Sequence, residues 1–388
     1  MTGRPSDVLI VGGGPAGLLA SLRLARAGHA VDLVEEHADI GEPVHCTGVL
    51  ARDAFATFGL PSSSVINPLQ TVRFFSPTGE PVEYSTPTIE AVVIDRVMFD
   101  RQLADEAEAA GVRMHRARVT GLEVDADGVT IAAGDRAMRS RACIIACGAS
   151  YALQRRLGLG MPRLMLNSAQ MELPASRLGP VEVHFGAALA PGGFAWAVPV
   201  ERDDQPSVRI GVMCEGDAAR HFQRVVNTVA GRWGVRAADG AAPRQKVLPL
   251  APIKCTYSDR VLVLGDAAGL VKPTTGGGIY YSLLSAEIAS ETLASALEHD
   301  DLRAVRLSAY QARWRKRLGS ELRWQLVLRR IAQRLSDSDI DRLFDLARTD
   351  GIMPLVRRTA TFNQHRDFIV ALLKHPPARR VLFRAALA

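Results

Sequence analysis

Residues 7–36 read DVLIVGGGPAGLLASLRLARAGHAVDLVEE, and the order of residue types in this stretch decides the fold class. Residues 8–11 are apolar and mostly β-branched, the composition of a strand buried on both faces. Gly12, Gly14 and Gly17 then form a G-x-G-x-x-G array, with Pro15 and Ala16 inside it, at the turn into a helix. The first glycine permits the tight turn, the second lets the backbone approach a pyrophosphate, and the third lets helix pack on strand. The free amides and the dipole at the helix start attract phosphate charge. Residues 31–34 read as a second strand that runs into Glu35 and Glu36. A carboxylate about 20 residues beyond the glycines is placed to hold ribose hydroxyls. The stretch therefore predicts an α/β, Rossmann-type dinucleotide site. Two other readings share part of the pattern: a glycine-rich turn without ligand, and a signal peptide, since Arg4 precedes the apolar run. Three glycines and a proline interrupt that run and no small-residue cleavage site follows, which argues against a signal.

Working outward, 388 residues with 47% hydrophobic content suit a soluble protein with a large core and two domains. No run of about 18 apolar residues occurs, so no membrane span is expected. There is no internal repeat. The five cysteines (Cys46, Cys143, Cys147, Cys214, Cys255) are odd in number and scattered, and the nine histidines lack metal-ligand spacing. A reducing cytoplasm and no metal are the expectation. Net charge is +6, unevenly spread: residues 301–388 hold 19 Lys+Arg against 8 Asp+Glu, and the remainder 28 against 33. Such a tail suits an anionic partner, either a membrane surface or a phosphorylated ligand; the plainer reading is a solvated helical face. No aromatic-interleaved basic motif points to nucleic acid.

Along the chain, residues 36–50 (EHADIGEPVHCTGVL) form a loop carrying His45, Cys46 and Thr47 together. A buried loop cysteine is the commonest fate of a free thiol; the alternative is a thiol, hydroxyl or imidazole beside a cofactor ring. Residues 71–75 and 82–85 alternate as short antiparallel strands. After them Asp95 is placed to cap a helix on which Val97, Phe99, Leu103 and Ala104 recur at helical spacing. Arg96 lies at the start of that helix, where the dipole disfavours a cation. Either a pyrophosphate or cofactor edge balances it, or it is a surface arginine. Further strands are expected within 112–131 and at 142–147. Residues 163–250 change character: 164–173, 181–185, 194–200 and 207–214 are strand-like and separated by Pro/Gly turns, a sheet layer inserted into the α/β chain. Within it, Phe194 and Trp196 lie two apart and point to one face, as core packing or as the floor of an apolar pocket. The strand at 260–264 leads into GDAAGLVKPTTGGGIYYSLLSAEIASETL, residues 265–293. Gly265 and Asp266 end the strand, where the carboxylate reaches a sugar-alcohol chain. Gly276, Gly277 and Gly278 open a long helix whose first amides are suited to anionic charge. In the tail, Leu307, Tyr310, Trp314 and Leu318 make an amphipathic stripe expected to be core, with Arg313, Arg315, Lys316 and Arg317 outside.

With these motifs in place, residues 6–300 resemble FAD-dependent enzymes of the para-hydroxybenzoate-hydroxylase-like superfamily, and more narrowly the geranylgeranyl reductase family. The resemblance implies that Gly12, Gly14, Gly17 and Glu35 hold the ADP half of FAD. It implies that Arg96, in DRVMFD, lies near the cofactor, and that Cys46, in PVHCTG, lies near the isoalloxazine. It also implies that residues 265–269 contact the ribityl and pyrophosphate. Pro273, Thr275, Gly276, Gly278 and Ile279 would pack on the flavin. The family's substrate strand, P-G-G-Y-x-W-x-F-P, matches at Trp196 and Pro199; Phe194 replaces its tyrosine and Val198 its phenylalanine. Many superfamily hydroxylases have an Asp-Gly pair where residues 147–149 read CGA, so the expected electron source is NAD(P)H or a reduced protein donor.

The expected architecture is a discontinuous FAD-binding domain (1–60, 92–160 and 251–300), an antiparallel-sheet substrate domain (61–91 and 161–250), and a basic helical C-terminal region (301–388). The expected activity is reduction of C=C bonds in a prenyl-type apolar substrate, with Cys46 catalytic and His45, Thr47, Phe194, Trp196 and Pro199 around the substrate. The expected location is cytoplasmic, with peripheral membrane contact through the tail. The rival is a flavin monooxygenase acting on an aromatic or polyketide-like substrate, although hydroxylases usually carry GDAAH and seldom the TGGGI continuation. A third reading is an FAD-bound redox partner or scaffold. Halogenases resemble the chain at FxWxVP but need a lysine upstream of that strand, and none of the five lysines precedes residue 246.

Overall fold

A computed structural model describes residues 6–202, 205–235, 242–349 and 351–387; Arg4 lies outside the described residues. The chain has the expected mixed α/β architecture, with a parallel-sheet layer, an inserted largely antiparallel sheet and C-terminal helices. The first sheet is centred on Ser6–Val11. It pairs in parallel with Val31–Glu35 on one side and Arg136–Ile145 on the other. Val261–Val263 extends it beyond Arg136–Ile145, and Arg113–Arg116 beyond Val31–Glu35, both in parallel. Val8, Leu9 and Ile10 have no exposed surface, as a strand covered on both faces requires. Helix Pro15–Arg26 packs on this sheet with its apolar residues buried. Arg136–Ile145 begins earlier than the expected 142–147 and ends earlier. Its first half is largely exposed where it pairs antiparallel with Val129–Ala133, whose alternate residues are buried.

The second sheet runs in the order Arg244–Pro249, Met165–Pro174, Gln205–Cys214, Phe194–Arg202, Val181–His184, Thr71–Phe75, Val82–Ser85. All its pairings are antiparallel except that of Val181–His184 with Thr71–Phe75. Helix Ala218–Trp233 covers one face with Phe222, Val225, Val226, Val229 and Trp233. The other face is turned to the rest of the molecule. Val65–Leu69 pairs with Ala91–Ile94 in a small sheet of its own. Pro68 and the register shift between Val65 and Asn67 suit an edge strand.

Asp95 caps helix Arg96–Ala109, its carboxylate accepting from Met98 N at 3.0 Å. The tail opens with the long helix Ala304–Ala332, on which Leu307, Tyr310, Trp314 and Leu318 are buried. Arg313, Arg315, Lys316 and Arg317 are exposed. Shorter helices follow and pack around Ile352, Leu372, Ala378 and Leu382. No helix among the described residues is long and apolar enough to cross a membrane.

Candidate functional site

The layers enclose one cavity of about 1230 Å³, reached by both glycine-rich turns, the 36–50 loop, the inserted sheet and the tail. At the first turn Gly12 has φ +108°, and a Cβ there would lie 2.5 Å from Ala146 O. A Cβ on Gly17 would lie 1.9 Å from Gly12 O. Gly17 therefore lets the helix seat on the strand and does not line the cavity, unlike Gly12, Gly14, Pro15 and Ala16. Gly14 is the N-cap of Pro15–Arg26. It has no side-chain cap, and a Cβ on it would meet nothing within 4 Å. Glu35 accepts from Gly13 N at 2.6 Å and from His37 N at 2.9 Å, and Glu36 lies 3.5 Å from Arg118. Both carboxylates line the cavity.

The second turn leaves the same end of the sheet as the first, and a Cβ on Gly265 would lie 3.4 Å from Ala16 Cβ. Gly265 has φ +54° and opens a 3₁₀ turn through residue 268. Helix Ile279–Glu298 starts at Gly278, again without a side-chain cap. A Cβ on Gly278 would lie 2.9 Å from Asp266 Oδ1, so the chain passes close to that carboxylate. Gly265, Asp266, Gly276, Gly277, Gly278 and Ile279 all line the cavity. Two uncapped helix starts facing one space, with no side chain at Gly14, fit a pyrophosphate-bearing cofactor of the FAD kind.

Arg96 is half-buried, its side chain 13% exposed, and pairs with the buried Asp100, Nη2 to Oδ2 2.7 Å. Burial works against this cation, but Asp100 and then Cys46 beside it hold its pKa above the usual arginine value. The pair offsets the unfavourable dipole, and Arg96 Nε is buried without a partner. Cys46 Sγ accepts from Gly48 N at 3.3 Å. His45 Nδ1 is buried and unpartnered; burial, then Lys246 and Arg244, lower its pKa. Thr47 Oγ1 donates to Gln170 Oε1 at 3.0 Å. Phe194 and Trp196 line the wall with ring centroids 5.7 Å apart. Trp196 lies over Gly211, where a Cβ would come within 2.2 Å of its ring.

Pro199 is the substrate-side candidate that the structure does not bring to the site. Side chains alternate along a strand. Phe194, Trp196 and Val198 face the cavity, whereas Ala195 and Ala197 pack under helix Ala218–Trp233. Pro199 shares the parity of those alanines and is absent from the lining.

Several lining residues were not anticipated. Lys246 Nζ sits 3.7 Å from Asp266 Oδ2. Phe185 meets both Phe194 and, from the tail, Phe344. Arg329 reaches the same space from the long helix. A usable signal existed for Arg329: continuing the stripe from Leu318 through Leu322 and Gln325 places it on the buried face. Lys272 is buried and donates to Phe362 O at 2.8 Å and Asn363 Oδ1 at 2.9 Å. It thus ties the loop before helix Ile279–Glu298 to the tail.

Burial pulls the Lys272 pKa down from 10.5 to about 7, with Glu321 and Asp53 offsetting only part. Between those two values the unfolded chain holds a proton that folded Lys272 has released, so stability from this group rises with pH across that window. Denaturation midpoints of the wild type and Lys272→Met, taken from about pH 7 to 10, should show the wild type gaining on the variant. A gap independent of pH would mean that Lys272 titrates normally.

Comparison with known proteins adds the following. The family described as FAD binding domain matches residues 5–161. A digeranylgeranylglycerophospholipid reductase of Methanothermobacter thermautotrophicus is 30% identical over 353 residues, covering 87% of this chain and 90% of the relative. A geranylgeranyl bacteriochlorophyll reductase-like protein of Thermoplasma acidophilum superposes with a TM-score of 0.84 at 21% identity, covering 98% of this chain and 99% of the other. The halogenase PltM, in complex with FAD, shares the fold at a TM-score of 0.70 and 14% identity, covering 99% and 92%.

Proposed function

The chain belongs to the geranylgeranyl reductase family of FAD-dependent oxidoreductases, and from that premise we propose that it saturates C=C bonds of a prenyl-type lipid. The observation that carries this reading is the continuity of the cavity. The space that begins at the two glycine turns runs on between Phe185, Phe194, Trp196, Leu343 and Phe344. An apolar chain lying there is desolvated and held beside the cofactor position.

FAD, when bound and reduced, would supply hydride chemistry, and the protein supplies position and a proton. The residues proposed to hold FAD are Gly12, Gly14, Pro15, Ala16, Glu35, Glu36, Arg96, Gly265, Asp266, Gly276, Gly277, Gly278 and Ile279. Gly17 shapes their turn. Phe194 and Trp196 hold the prenyl chain, with His45 and Thr47 at its edge. Cys46, beside the Arg96 cation, places the alkene and donates the proton to the second carbon, recovering it from solvent. The electron source is NAD(P)H or a reduced protein donor. The location is cytoplasmic, with the exposed basic residues of the tail touching anionic lipid; failure to sediment with anionic vesicles at low salt would contradict that contact.

Multiple turnover with a chemical reductant and a prenyl diphosphate tests the reaction. The expected product is heavier by one hydrogen molecule per reduced bond, with no oxygen incorporated. An aromatic or polyketide-like substrate that gains oxygen would replace this reading with the monooxygenase.

A further inference from the structure

The apolar half of the cavity contains a buried cation, Arg329, that lacks hydrogen-bond partners for two of its nitrogens. Arg329 lies on helix Ala304–Ala332 and is 5% exposed. Its Nε and Nη2 are buried and neither has a hydrogen-bond partner. The side chain lines the cavity together with Leu328, Leu343 and Phe344. The nearby carboxylate is Glu215, whose Oε1 is already occupied by Gln333 Nε2 at 2.7 Å. Burial lowers the Arg329 pKa to about 10, and Glu215 offsets part of that, so the group stays charged at neutral pH. Gly192 and Gly193, at the start of the Phe194–Arg202 strand, line the same space, and neither brings a side chain into it.

An unpaired buried guanidinium destabilises the fold that carries it. Its planar fork matches two oxygens of a phosphate group. The aromatic wall at Phe185, Phe194 and Trp196 shares its cavity. We infer that Arg329 receives the phosphate-type head of an amphipathic ligand whose apolar chain lies along that wall. The head is a phosphate or diphosphate ester, and the chain and head are bound together. The identity of the chain as prenyl rests on the reductase reading; the recognition of the head does not.

The test therefore uses ligands without a reducible bond. FAD-loaded protein is titrated calorimetrically with decyl phosphate, decan-1-ol and inorganic phosphate. Decyl phosphate should bind at least about ten-fold more tightly than the alcohol, the scale of one charge-assisted pair. Arg329→Gln should abolish that preference, and Arg329→Lys, a point charge, should keep part of it. The ligand-free Gln variant should melt no lower than the wild type, because it removes a buried charge that Glu215 offsets only in part and whose Nε and Nη2 have no hydrogen-bond partner; a merely structural arginine would give a lower Tm and leave the ratio of affinities unmoved. Equal binding of phosphate and alcohol by the wild type, or a preference that survives in Arg329→Gln, overturns the inference. Inorganic phosphate binding as tightly as decyl phosphate overturns it too, since the site then takes a free anion. In turnover, a KM difference between prenyl diphosphate and prenol that collapses in Arg329→Gln extends the result to substrate. Binding that passes with turnover that fails would retire the reductase reading and keep this one.

Discussion

Gly14→Asp should fold at least as well as the wild type and lose FAD. Gly14 is the N-cap of Pro15–Arg26, with extended backbone at φ −84° and no side-chain cap. Aspartate is among the best N-caps, and replacing glycine adds a few tenths of a kcal/mol. A Cβ at Gly14 meets nothing within 4 Å, so the helix gains a cap without a clash. The same carboxylate then occupies the place where pyrophosphate oxygens would meet the first-turn amides. Losing those charge-assisted bonds and adding like charge should weaken FAD by about 10²-fold or more. The flavin-to-protein absorbance ratio and the Tm of the purified variant measure both effects. Gly17→Ala should do the opposite. Its Cβ would lie 1.9 Å from the Gly12 carbonyl oxygen, a backbone atom that cannot rotate away, so soluble protein should be lost. Full flavin content in Gly14→Asp would refute the assigned phosphate position.

Cys46→Ala, with FAD fully bound, should lower turnover of a prenyl substrate by about 10²-fold with little change in KM. The thiol lies in the cavity wall, beside the half-buried Arg96 and bonded to Gly48 N. Removing Sγ leaves Gly48 N without this partner, so the flavin spectrum and Tm are read alongside the rate. Cys46→Ser, which keeps a hydroxyl, should recover part of the activity. Wild-type turnover in Cys46→Ala would assign protonation to water and leave Cys46 a packing role.

The centre of the parallel sheet was legible because residues 8–11, 31–34 and 261–263 are short, mostly apolar runs punctuated by glycine turns, whereas the polar edge strand Arg113–Arg116 carries no such signal. Asp95 capping Met98 N and the buried stripe from Leu307 to Leu318 were readable for the same reason, as local patterns with one period. The parallel pairing of Val181–His184 with Thr71–Phe75 was not, because nothing local encodes a partner so distant in the chain. Pro199 was misplaced because both faces of its strand are buried. Alternation tells which residues share a face, not which face meets the cavity. Lys272 and Arg329 were missed for a related reason. Each lies in a pattern that reads as loop or core, and only the packing of the tail against the cofactor side brings them to the cavity. The basic tail reads as a surface feature by composition, yet it also walls the cavity.

The central claim is that reduced flavin in this protein passes its electrons to an alkene. The direct test is anaerobic: reduce the flavoprotein, remove excess reductant, mix with a prenyl diphosphate or prenylated phospholipid, and follow the flavin absorbance. The account predicts reoxidation without oxygen and a product with one fewer double bond. Flavin that stays reduced with every such substrate until air is admitted, followed by oxygen in an aromatic product, would contradict it.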